Sequence, residues 1–393
     1  MIKSRYLHKQ IAADLREKMV FVGGPRQVGK TTMAKAIGKV GFKKPMYLNW
    51  DFRDDRKAVV NRIFSAEADL LIFDEIHKYR HWRNYLKGEY DKNSERYAIL
   101  VTGSARLDLY RRGGDSLLGR YHYFRLHPFS LAEAAGLENK IKIFSRLDFK
   151  KNFEAKKLFE RLLKFGGFPE PFLGQNEKNA RRFYNARLDR LIKDDIREIE
   201  NVRDLSALQI LTELIPEKVG SLFSLNSLVE DLGATHKTIS LWVDVLERFY
   251  FHYRLYPFAS TKIKSLRKEP KIYLWDWSGI ENEAFRLENM VASHLLKLVH
   301  YFYDAEGYKA ELNFLRDRDG HEVDFIISIN KKPWLAVEVK LNDEKISKNL
   351  YYFAERLKIP FLYQVVASDN NELDYLKDNI RVINAAKFLS GLI

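Results

Sequence analysis

A short glycine-containing segment near the start of the chain places the strongest constraint on its fold. Residues 24–31 read Gly-Pro-Arg-Gln-Val-Gly-Lys-Thr, and they follow the apolar run Met19–Gly23 and open a helical pattern. In this setting the pattern predicts a phosphate-binding loop, because the glycines let successive backbone N–H groups and the helix N-terminus face one anion. A glycine turn with a chance lysine would not need the flanking strand and helix.

The loop and its flanks predict a nucleotide site that binds ATP with Mg²⁺. We expect Lys30 to reach the β- and γ-phosphate oxygens and Thr31 to ligate the ion. The predicted nucleotide-binding residues of this segment are Gly24, Pro25, Arg26, Gln27, Val28, Gly29, Lys30, Thr31 and Thr32.

Two adjacent acids, Asp74 and Glu75, end the apolar run Leu70–Phe73. Such a pair can hold the magnesium ion and activate water, so we expect Asp74 to bind the ion through water and Glu75 to polarise the attacking water. The two acids could instead be a solvated strand end or helix start. If the loop binds nucleotide, the pair favours hydrolysis over binding alone.

The run Ala98–Val101 leads into Thr102-Gly103-Ser104. Thr102 or Ser104 is the candidate γ-phosphate sensor, provided that this strand lies between the two motif strands; a capped turn without a sensing role is the alternative. Hydrolysis also benefits from an external cation, an arginine finger. Arg120 is our first candidate, ahead of Arg111 and Arg112, although all three could be solvated surface arginines.

Short apolar runs alternate with helical patterns over residues 1–130, which predicts an open parallel sheet with crossover helices. The predicted strands are Met19–Gly23, Pro45–Asp51, Asp69–Asp74, Arg96–Thr102 and Tyr121–Arg125. We expect an α/β protein with four parts: a P-loop ATPase core (1–130), a helical lid (131–202), a winged helix-turn-helix module (203–258) and a C-terminal α/β domain (259–393). The last part contains three predicted strands, Glu311–Asp317, His321–Ile329 and Trp334–Leu341.

Composition narrows the class of protein. The chain has 393 residues and no cysteine, so disulfides, thiol catalysis and cysteine-ligated metals are excluded. Without an apolar run of membrane-spanning length or a signal-peptide core, we expect a cytoplasmic protein that does not enter membranes.

The net charge of +14 suggests an anionic partner. Residues 1–200 contain 42 basic and 26 acidic side chains, whereas residues 201–393 contain 25 and 27. A nucleic-acid or protein partner is therefore expected on the ATPase half.

The motifs GGPRQVGKTT, LLIFDEIHK, LVTGSARLD, SLLGRYHYFRLHPFSLAE and GGFPEP, in this order, resemble a group of prokaryotic AAA-like ATPases with uncharacterised C-terminal domains. These motifs span residues 1–175, and with the Leu-Glu-Asn, Glu-Val-Asp-Phe and Glu-Val-Lys patterns of the C-terminal part the resemblance covers nearly the whole chain. It implies an ATP-binding core followed by a helical lid, in which Pro169 would touch the adenine. Members of this family are predicted ATPases without a known biological role.

The middle segment resembles a winged helix-turn-helix, with a Gly233 turn, a Thr235 cap and a helix that runs to Arg248. A DNA-reading helix carries cations for phosphates and amides or arginines for bases. This helix offers His236 and Lys237, and its segment is acidic overall. A structural or partner-docking role is favoured over DNA reading.

Asp324 stands in one predicted strand, and Glu338 and Lys340 share a face of the next. If these strands are neighbours, Asp324 and Glu338 can share a divalent metal while Lys340 steadies the hydroxide and phosphate. This arrangement resembles the restriction-endonuclease-like PD-(D/E)XK fold, in which an acid on an earlier helix, here Glu288, completes the catalytic set. Charged strand edges are common, and the neutral charge of this part lowers the expectation of nuclease activity.

Three functions remain open from the sequence. The first is an ATPase that acts as a nucleotide-driven switch or motor, which could assemble as a homo-oligomer in which Arg120 completes a neighbour's site. The second is an ATP-gated, Mg²⁺-dependent nuclease. The third is a non-catalytic ATP-binding interaction protein, which would bind ATP without turnover.

Overall fold

The computed structural model describes residues 4–103, 107, 117–150, 154–196, 204–259, 268–342, 345–370 and 372–393, without the side chains of residues 194 and 195. The chain divides into two compact units, Met1–His127 and Pro128–Ile393. The boundary predicted after residue 130 lies close to this division. Those predicted after residues 202 and 258 fall within the second unit and stay predictions.

A five-stranded parallel sheet forms the centre of the first unit. Its strands are β1 Met19–Gly23, β2 Pro45–Asn49, β3 Leu70–Asp74, β4 Ala98–Thr102 and β5 Tyr121–Arg125. They are arranged in the order β2-β3-β4-β1-β5, and every neighbouring pair is parallel. Strands β1 and β3 are buried along their whole lengths, which explains their apolar sequences without alternation. The predicted parallel sheet is confirmed.

Helices pack against this sheet and complete the core of the first unit. The helices described here are α1 His8–Asp14, α2 Lys30–Gly41, α3 Arg53–Asn61 and α4 Trp82–Asn93. Trp82 and Leu86 of α4 join Phe21, Phe73 and Val101 of the sheet in one buried apolar cluster. This packing fixes the carboxyl ends of β1, β3 and β4, where the polar residues of the candidate site stand.

The second unit begins with a helical region. Its helices are α5 Leu131–Ala134, α6 Ala155–Phe165, α7 Pro169–Gly174, α8 Glu177–Arg190, α9 Leu205–Leu214, α10 Leu225–Leu232 and α11 His236–Arg248. Strands β6 His252–Leu255 and β7 Lys271–Leu274 then pair antiparallel as a two-stranded sheet. Three helices and a strand occupy the segment predicted as a winged helix-turn-helix, and that assignment stays a prediction. Of the basic segment 262–268, only Lys268 lies among the described residues.

The rest of the second unit contains a six-stranded mixed sheet. Its strands are β8 Ala310–Arg316, β9 Glu322–Ile329, β10 Lys332–Lys340, β11 Phe361–Val366, β12 Asp374–Lys377 and β13 Ile380–Asn384. They lie in the order β12-β13-β11-β10-β9-β8. β8, β9 and β10 are antiparallel neighbours, whereas β10, β11 and β13 run parallel. The remaining helices are α12 Glu283–Asp304, α13 Lys348–Leu357 and α14 Ala385–Ser390.

The three strands predicted for the C-terminal part correspond to β8, β9 and β10, with ends that shift by no more than two residues. Helix α12 begins where the Asn282 side chain accepts hydrogen bonds from the N–H groups of Ala284 and Phe285. This cap satisfies backbone donors that the first helical turn leaves unpaired. Helix α12 then packs on the sheet and brings Glu288 towards it.

Candidate functional site

The loop between β1 and α2 has the backbone geometry of a phosphate cradle. Gly24, Gln27 and Gly29 have φ angles of 136°, 61° and 97°, in the region that glycine adopts most easily. A Cβ atom on Gly24 would lie 2.5 Å from the carbonyl oxygen of Leu126. Position 24 therefore requires glycine both for its backbone angle and for the approach of this neighbouring segment.

Lys30 is buried at the first position of α2. Its Nζ donates hydrogen bonds to the carbonyl oxygens of Gly24 and Pro25, at 3.0 and 2.7 Å. The ammonium group thus lies inside the loop whose N–H groups would face phosphate. Of the other predicted binding residues, Val28 is buried and Thr32 is exposed.

Asp74, at the end of β3, accepts hydrogen bonds from three hydroxyl groups. Its Oδ2 accepts from Thr31 at 2.7 Å and from Tyr47 at 2.8 Å, and its Oδ1 accepts from Thr102 at 2.6 Å. Asp74 is only 6% exposed. The carboxylate therefore links the phosphate-binding loop to β2 and β4.

A sensor role for Thr102 requires that its strand lie between the two motif strands. The structure meets this requirement, since β4 lies between β1 and β3. The sensor role itself is an expectation, and Ser104, the other candidate, lies outside the described residues. Tyr47 was missed by the sequence analysis because its contact depends on the register of β2 against β3. Burial, followed by its hydrogen bond to Asp74, raises the pKa of the Tyr47 phenol, so the hydroxyl keeps its proton and remains a donor.

Glu75 directly follows β3 and has a left-handed backbone with φ 59°. Its N–H donates to the Thr102 carbonyl oxygen at 2.9 Å. The carboxylate lies 3.4 Å from His77 Nε2 and 3.8 Å from Lys78 Nζ. Burial raises the pKa of Glu75, and Lys30 and Lys78 offset part of that rise. A raised pKa suits a group that accepts a proton from water.

Arg120, the first candidate for an arginine finger, lies just before β5. Its guanidinium donates two hydrogen bonds to Asp91 of α4, at 2.6 and 3.1 Å. This pairing lies within the first unit, and a role in a neighbouring protomer's site stays a prediction. Arg111 and Arg112 lie outside the described residues.

Pro169, the candidate adenine contact, is the first residue of α7 in the second unit. The preceding glycines are tightly packed, because a Cβ on Gly167 would lie 2.7 Å from the Phe129 carbonyl oxygen. Phe168 is completely buried. The helix break predicted at this segment is confirmed, and the contact of Pro169 with adenine stays a prediction.

A second polar site lies in the second unit, where the structure places the C-terminal acids together. Strands β9 and β10 are antiparallel neighbours, with Phe325 opposite Val337. The backbone N–H of Val339 donates to Asp324 Oδ2 at 2.8 Å, so Asp324 lies beside the segment that contains Glu338. Lys340 Nζ lies 2.8 Å from Glu338 Oε1. The condition that the two strands be neighbours is met.

Glu288 joins this site from α12. Tyr273 of β7 donates its hydroxyl to Glu288 Oε1 at 2.7 Å. Burial, with the nearby charge of Asp324, raises the pKa of Glu288 to about 8 and that of Glu338 to about 7. Burial also raises the pKa of Asp324. These carboxyl groups therefore lie in a place where negative charge is costly without a cation.

Two further charged residues, Lys271 and Glu322, belong to this site and were missed by the sequence analysis. Lys271 of β7 is 3% exposed, and its Nζ lies 2.5 Å from Glu322 Oε1, 3.6 Å from Glu288 Oε1 and 3.9 Å from Asp324 Oδ1. We call Glu288, Glu322, Asp324 and Glu338 together the acid cluster. A lysine in the otherwise apolar strand β7 was the available signal, since buried lysines are rare unless paired.

The acid cluster has a donor set that fits a divalent cation. Glu338 Oε2 is buried and has no hydrogen-bond partner among the described residues, although a buried carboxylate oxygen normally has one. Carboxylate oxygens are the ligands that Mg²⁺ and Mn²⁺ prefer. Asp324 and Glu338 could hold such an ion, which would supply a positive charge for phosphate oxygens.

Comparison with known protein families matches three parts of the chain. Residues 16–135 match the model of an AAA domain, residues 156–290 a domain of unknown function (DUF8612), and residues 285–388 another domain of unknown function (DUF4143). The descriptions of these three families name neither a nuclease nor a winged helix, so both assignments rest on the residues alone.

Whole-chain relatives are uncharacterised proteins. One from Methanocaldococcus jannaschii is 27% identical, over 89% of this chain and 80% of its own. One from Mycobacterium tuberculosis is 22% identical, over 90% of this chain and 80% of its own. The Thermotoga maritima RuvB Holliday junction branch migration motor, a solved structure, is 18% identical, covers 67% of this chain and 93% of its own, and has a TM-score of 0.30. Because this TM-score is low, the fold of the first unit is assigned from its strand order and loop geometry and not from this similarity.

Among the described residues, no helix has the length and apolar character needed to cross a membrane.

The strand order of the first unit, its phosphate-binding loop and the matched residues all lead to the same domain type. The chain contains an AAA-type P-loop ATPase domain followed by two domains of unknown function.

Proposed function

We propose that the first unit binds ATP with Mg²⁺ and hydrolyses it, so that the protein acts as a nucleotide-driven switch or motor. The hydrogen bonds at Asp74 carry this proposal, because they join the loop hydroxyl of Thr31 and the sensor candidate Thr102 to one carboxylate. Thr31 and Asp74 would hold Mg²⁺, directly and through water, and the ion would neutralise charge on the phosphate oxygens.

The other residues take roles that their positions support. Lys30 exchanges its loop carbonyl partners for β- and γ-phosphate oxygens, since a charged acceptor binds an ammonium more strongly than a carbonyl does. Glu75, half-buried beside the end of β4, polarises the attacking water and takes its proton. Thr102 connects Asp74 to β4 and reports the presence of the γ-phosphate.

Turnover and binding measured separately test this assignment. We expect Lys30→Ala to lose ATP binding and turnover, and Glu75→Gln to keep binding while its turnover falls at least about 100-fold. Lys39→Ala and Glu95→Gln change exposed residues of the same unit and serve as matched controls. Unchanged ATP hydrolysis in both site variants would contradict the assignment of ATPase activity to this site. Tight ATP binding without turnover in the unmodified protein would favour the non-catalytic interaction protein.

We further propose that Arg120 acts as an arginine finger in a neighbouring protomer of a homo-oligomer. In that case Arg120→Ala should lower turnover by about 10³-fold or more. Asp91→Ala breaks the same ion pair but leaves the arginine in place, so it should preserve turnover. Equal losses in the two variants would show that the ion pair supports the fold and that Arg120 is no finger.

A second candidate function is Mg²⁺-dependent cleavage of nucleic acid at the acid cluster. The buried Glu338 Oε2, for which the described part of the chain offers no hydrogen-bond partner, favours this function. The closeness of Asp324 and the ion pair of Lys340 with Glu338 also support it. We expect cleavage of DNA or RNA with Mg²⁺ or Mn²⁺ to disappear in Asp324→Ala and Glu338→Ala. ATP would gate this cleavage, so it should also change in Lys30→Ala. Absence of cleavage on every nucleic acid offered would retire this function.

A further inference from the structure

Lys271 holds an unusual position relative to the acid cluster. It belongs to the two-stranded sheet, yet its ammonium group is buried among carboxylates of α12 and β9. Three of the four acids of the cluster lie within 3.9 Å of its Nζ. Burial alone would lower the pKa of Lys271, but Glu288, Asp324 and Glu322 raise it above its ordinary value. The side chain therefore carries a positive charge at neutral pH.

Two other cations near the cluster form ion pairs with Glu338 and Glu322, and the charge of Lys340 also lowers the pKa of Asp324. Lys340 pairs with Glu338 at 2.8 Å, and Arg316 pairs with Glu322 at 2.6 Å from the exposed side. Lys271 is the cation that Glu288 and Asp324 share among the described residues. An ion at the Asp324 and Glu338 carboxylates would stand close to this ammonium, and two cations repel strongly where burial limits screening.

We propose that Lys271 is the built-in counter-ion of the acid cluster: its ammonium offsets the negative charge of the Asp324 carboxylate in the metal-free protein and competes with a divalent cation for that carboxylate. This inference rests on the proposed metal site, and it adds a regulatory property to that site. Metal affinity is set by a lysine of a different sheet, so binding of the ion requires the ammonium to give up part of its contact with Asp324.

Mn²⁺ binding to the full-length, nucleotide-free protein, followed by the paramagnetic resonance of the free ion, tests the proposal. Lys271→Met keeps much of the side-chain volume and removes the charge, so it should bind Mn²⁺ about tenfold more tightly than the unmodified protein. Lys268→Met, which changes an exposed lysine three positions earlier, should bind like the unmodified protein. The double variant Lys271→Met, Glu338→Gln should lose the added affinity.

Thermal unfolding gives a second readout that needs no activity. Without metal, Lys271→Met should melt at a lower temperature, because it leaves carboxylates buried without their counter-ion. Mn²⁺ should restore its melting temperature and raise that of the unmodified protein much less. Lys271→Gln, which keeps a hydrogen-bond donor, replaces the Met variant if the latter does not fold.

The possible results separate this inference from the function on which it rests. If Lys271→Met binds Mn²⁺ no better than the unmodified protein while Glu338→Gln abolishes binding, the metal site stands and the counter-ion role is overturned. If neither the unmodified protein nor Lys271→Met or Lys271→Gln binds Mn²⁺ at millimolar concentration, the metal site fails and the competition fails with it.

Discussion

Asp74 accepts hydrogen bonds from three hydroxyl groups. Removing the one from Tyr47 tests how strongly Mg²⁺ binding depends on the position of this carboxylate. Tyr47→Phe removes that bond and leaves the ring in place. The full contribution of one hydrogen bond to a charged group, about 1.5–3 kcal/mol, would correspond to a factor of about ten or more. Because the other two hydroxyls still hold the carboxylate, we expect the apparent affinity for Mg²⁺ in ATP turnover to fall by less than this, about a few-fold.

Steady-state turnover measured across Mg²⁺ concentrations gives this affinity. Tyr90→Phe is a matched control, since it also removes a tyrosine hydrogen bond, in this case to the Glu17 carbonyl oxygen. The control should titrate like the unmodified protein. If Tyr47→Phe does so too, the Tyr47 hydroxyl has no part in holding the carboxylate.

Gly103, which follows β4, provides space for a buried histidine beside Glu75. A Cβ atom at this position would lie 2.7 Å from His77 Nδ1 and 2.9 Å from Leu107 Cδ1, and His77 Nε2 is 3.4 Å from the Glu75 carboxylate. We expect Gly103→Ala to displace the imidazole and with it Glu75. Turnover should therefore fall by about tenfold or more while the affinity for ATP changes little.

Binding and turnover of Gly103→Ala can be compared with those of Gly41→Ala. At Gly41, the last residue of α2, a Cβ would meet nothing within 4 Å, so this variant should keep both properties. A loss of ATP affinity in Gly103→Ala as large as its loss of turnover would contradict a specific effect on Glu75.

At the scale of secondary-structure elements, the sequence pattern predicts those features that interactions between neighbouring residues determine. The phosphate-binding loop and the five strands of the first unit follow from glycine positions and apolar runs, because loop geometry and burial act on neighbouring residues. The contacts of Tyr47 and Lys271 depend on which strands become neighbours and in what register. Periodicity carries no such information, so both residues were missed. The strand that contains Tyr47 was predicted, whereas β7, which contains Lys271, was not.

Helix α12 anchors the first segment of the second unit through buried polar contacts. The N–H of Leu131 donates to His294 Nε2 at 2.9 Å, and His294 Nδ1 lies 2.7 Å from the Met290 carbonyl oxygen. Lys297 of the same helix donates to the Ser130 hydroxyl at 3.0 Å and pairs with Glu133. These partners assign the imidazole proton to Nδ1 and leave no acceptor for a second proton at Nε2.

The second unit should lose stability in mild acid because of His294. Burial lowers the pKa of this imidazole to about 4, whereas the ordinary value is about 6.5. The unfolded chain therefore binds the proton first as the pH falls. The free energy of unfolding keeps its full value with respect to this group above pH 6.5. It should fall by roughly 3 kcal/mol between about pH 6.5 and 4.

Urea unfolding at a series of pH values measures this loss. His294→Gln keeps an acceptor for the Leu131 N–H but cannot be protonated, so its free energy of unfolding should fall less between pH 6.5 and 4. His236→Gln changes an exposed histidine at the start of α11 and should follow the unmodified protein. Parallel curves for all three proteins would show that His294 does not contribute to the acid sensitivity.

For the whole molecule, the uneven distribution of charge predicts where a polyanionic partner binds. Residues 1–200 contain 42 basic and 26 acidic side chains, whereas residues 201–393 contain 25 and 27. The acid cluster and the candidate winged helix thus belong to the half without excess positive charge. A nucleic acid or other polyanion should dock on the ATPase half, because phosphate contacts supply most of its affinity.

Two full-length triple variants test this placement by replacing exposed lysines or arginines with glutamate. The residues changed in the first variant are Lys57, Arg80 and Lys92, and those in the second are Lys309, Lys332 and Lys377. The first variant should bind DNA or RNA more weakly and show a flatter dependence of affinity on salt, by about 0.7–0.9 in logarithmic slope for each phosphate that the protein no longer neutralises. The second should bind like the unmodified protein. A larger drop in affinity for the second variant would place the partner on the C-terminal half, and would bring the acid cluster back into consideration as the site that the polyanion reaches.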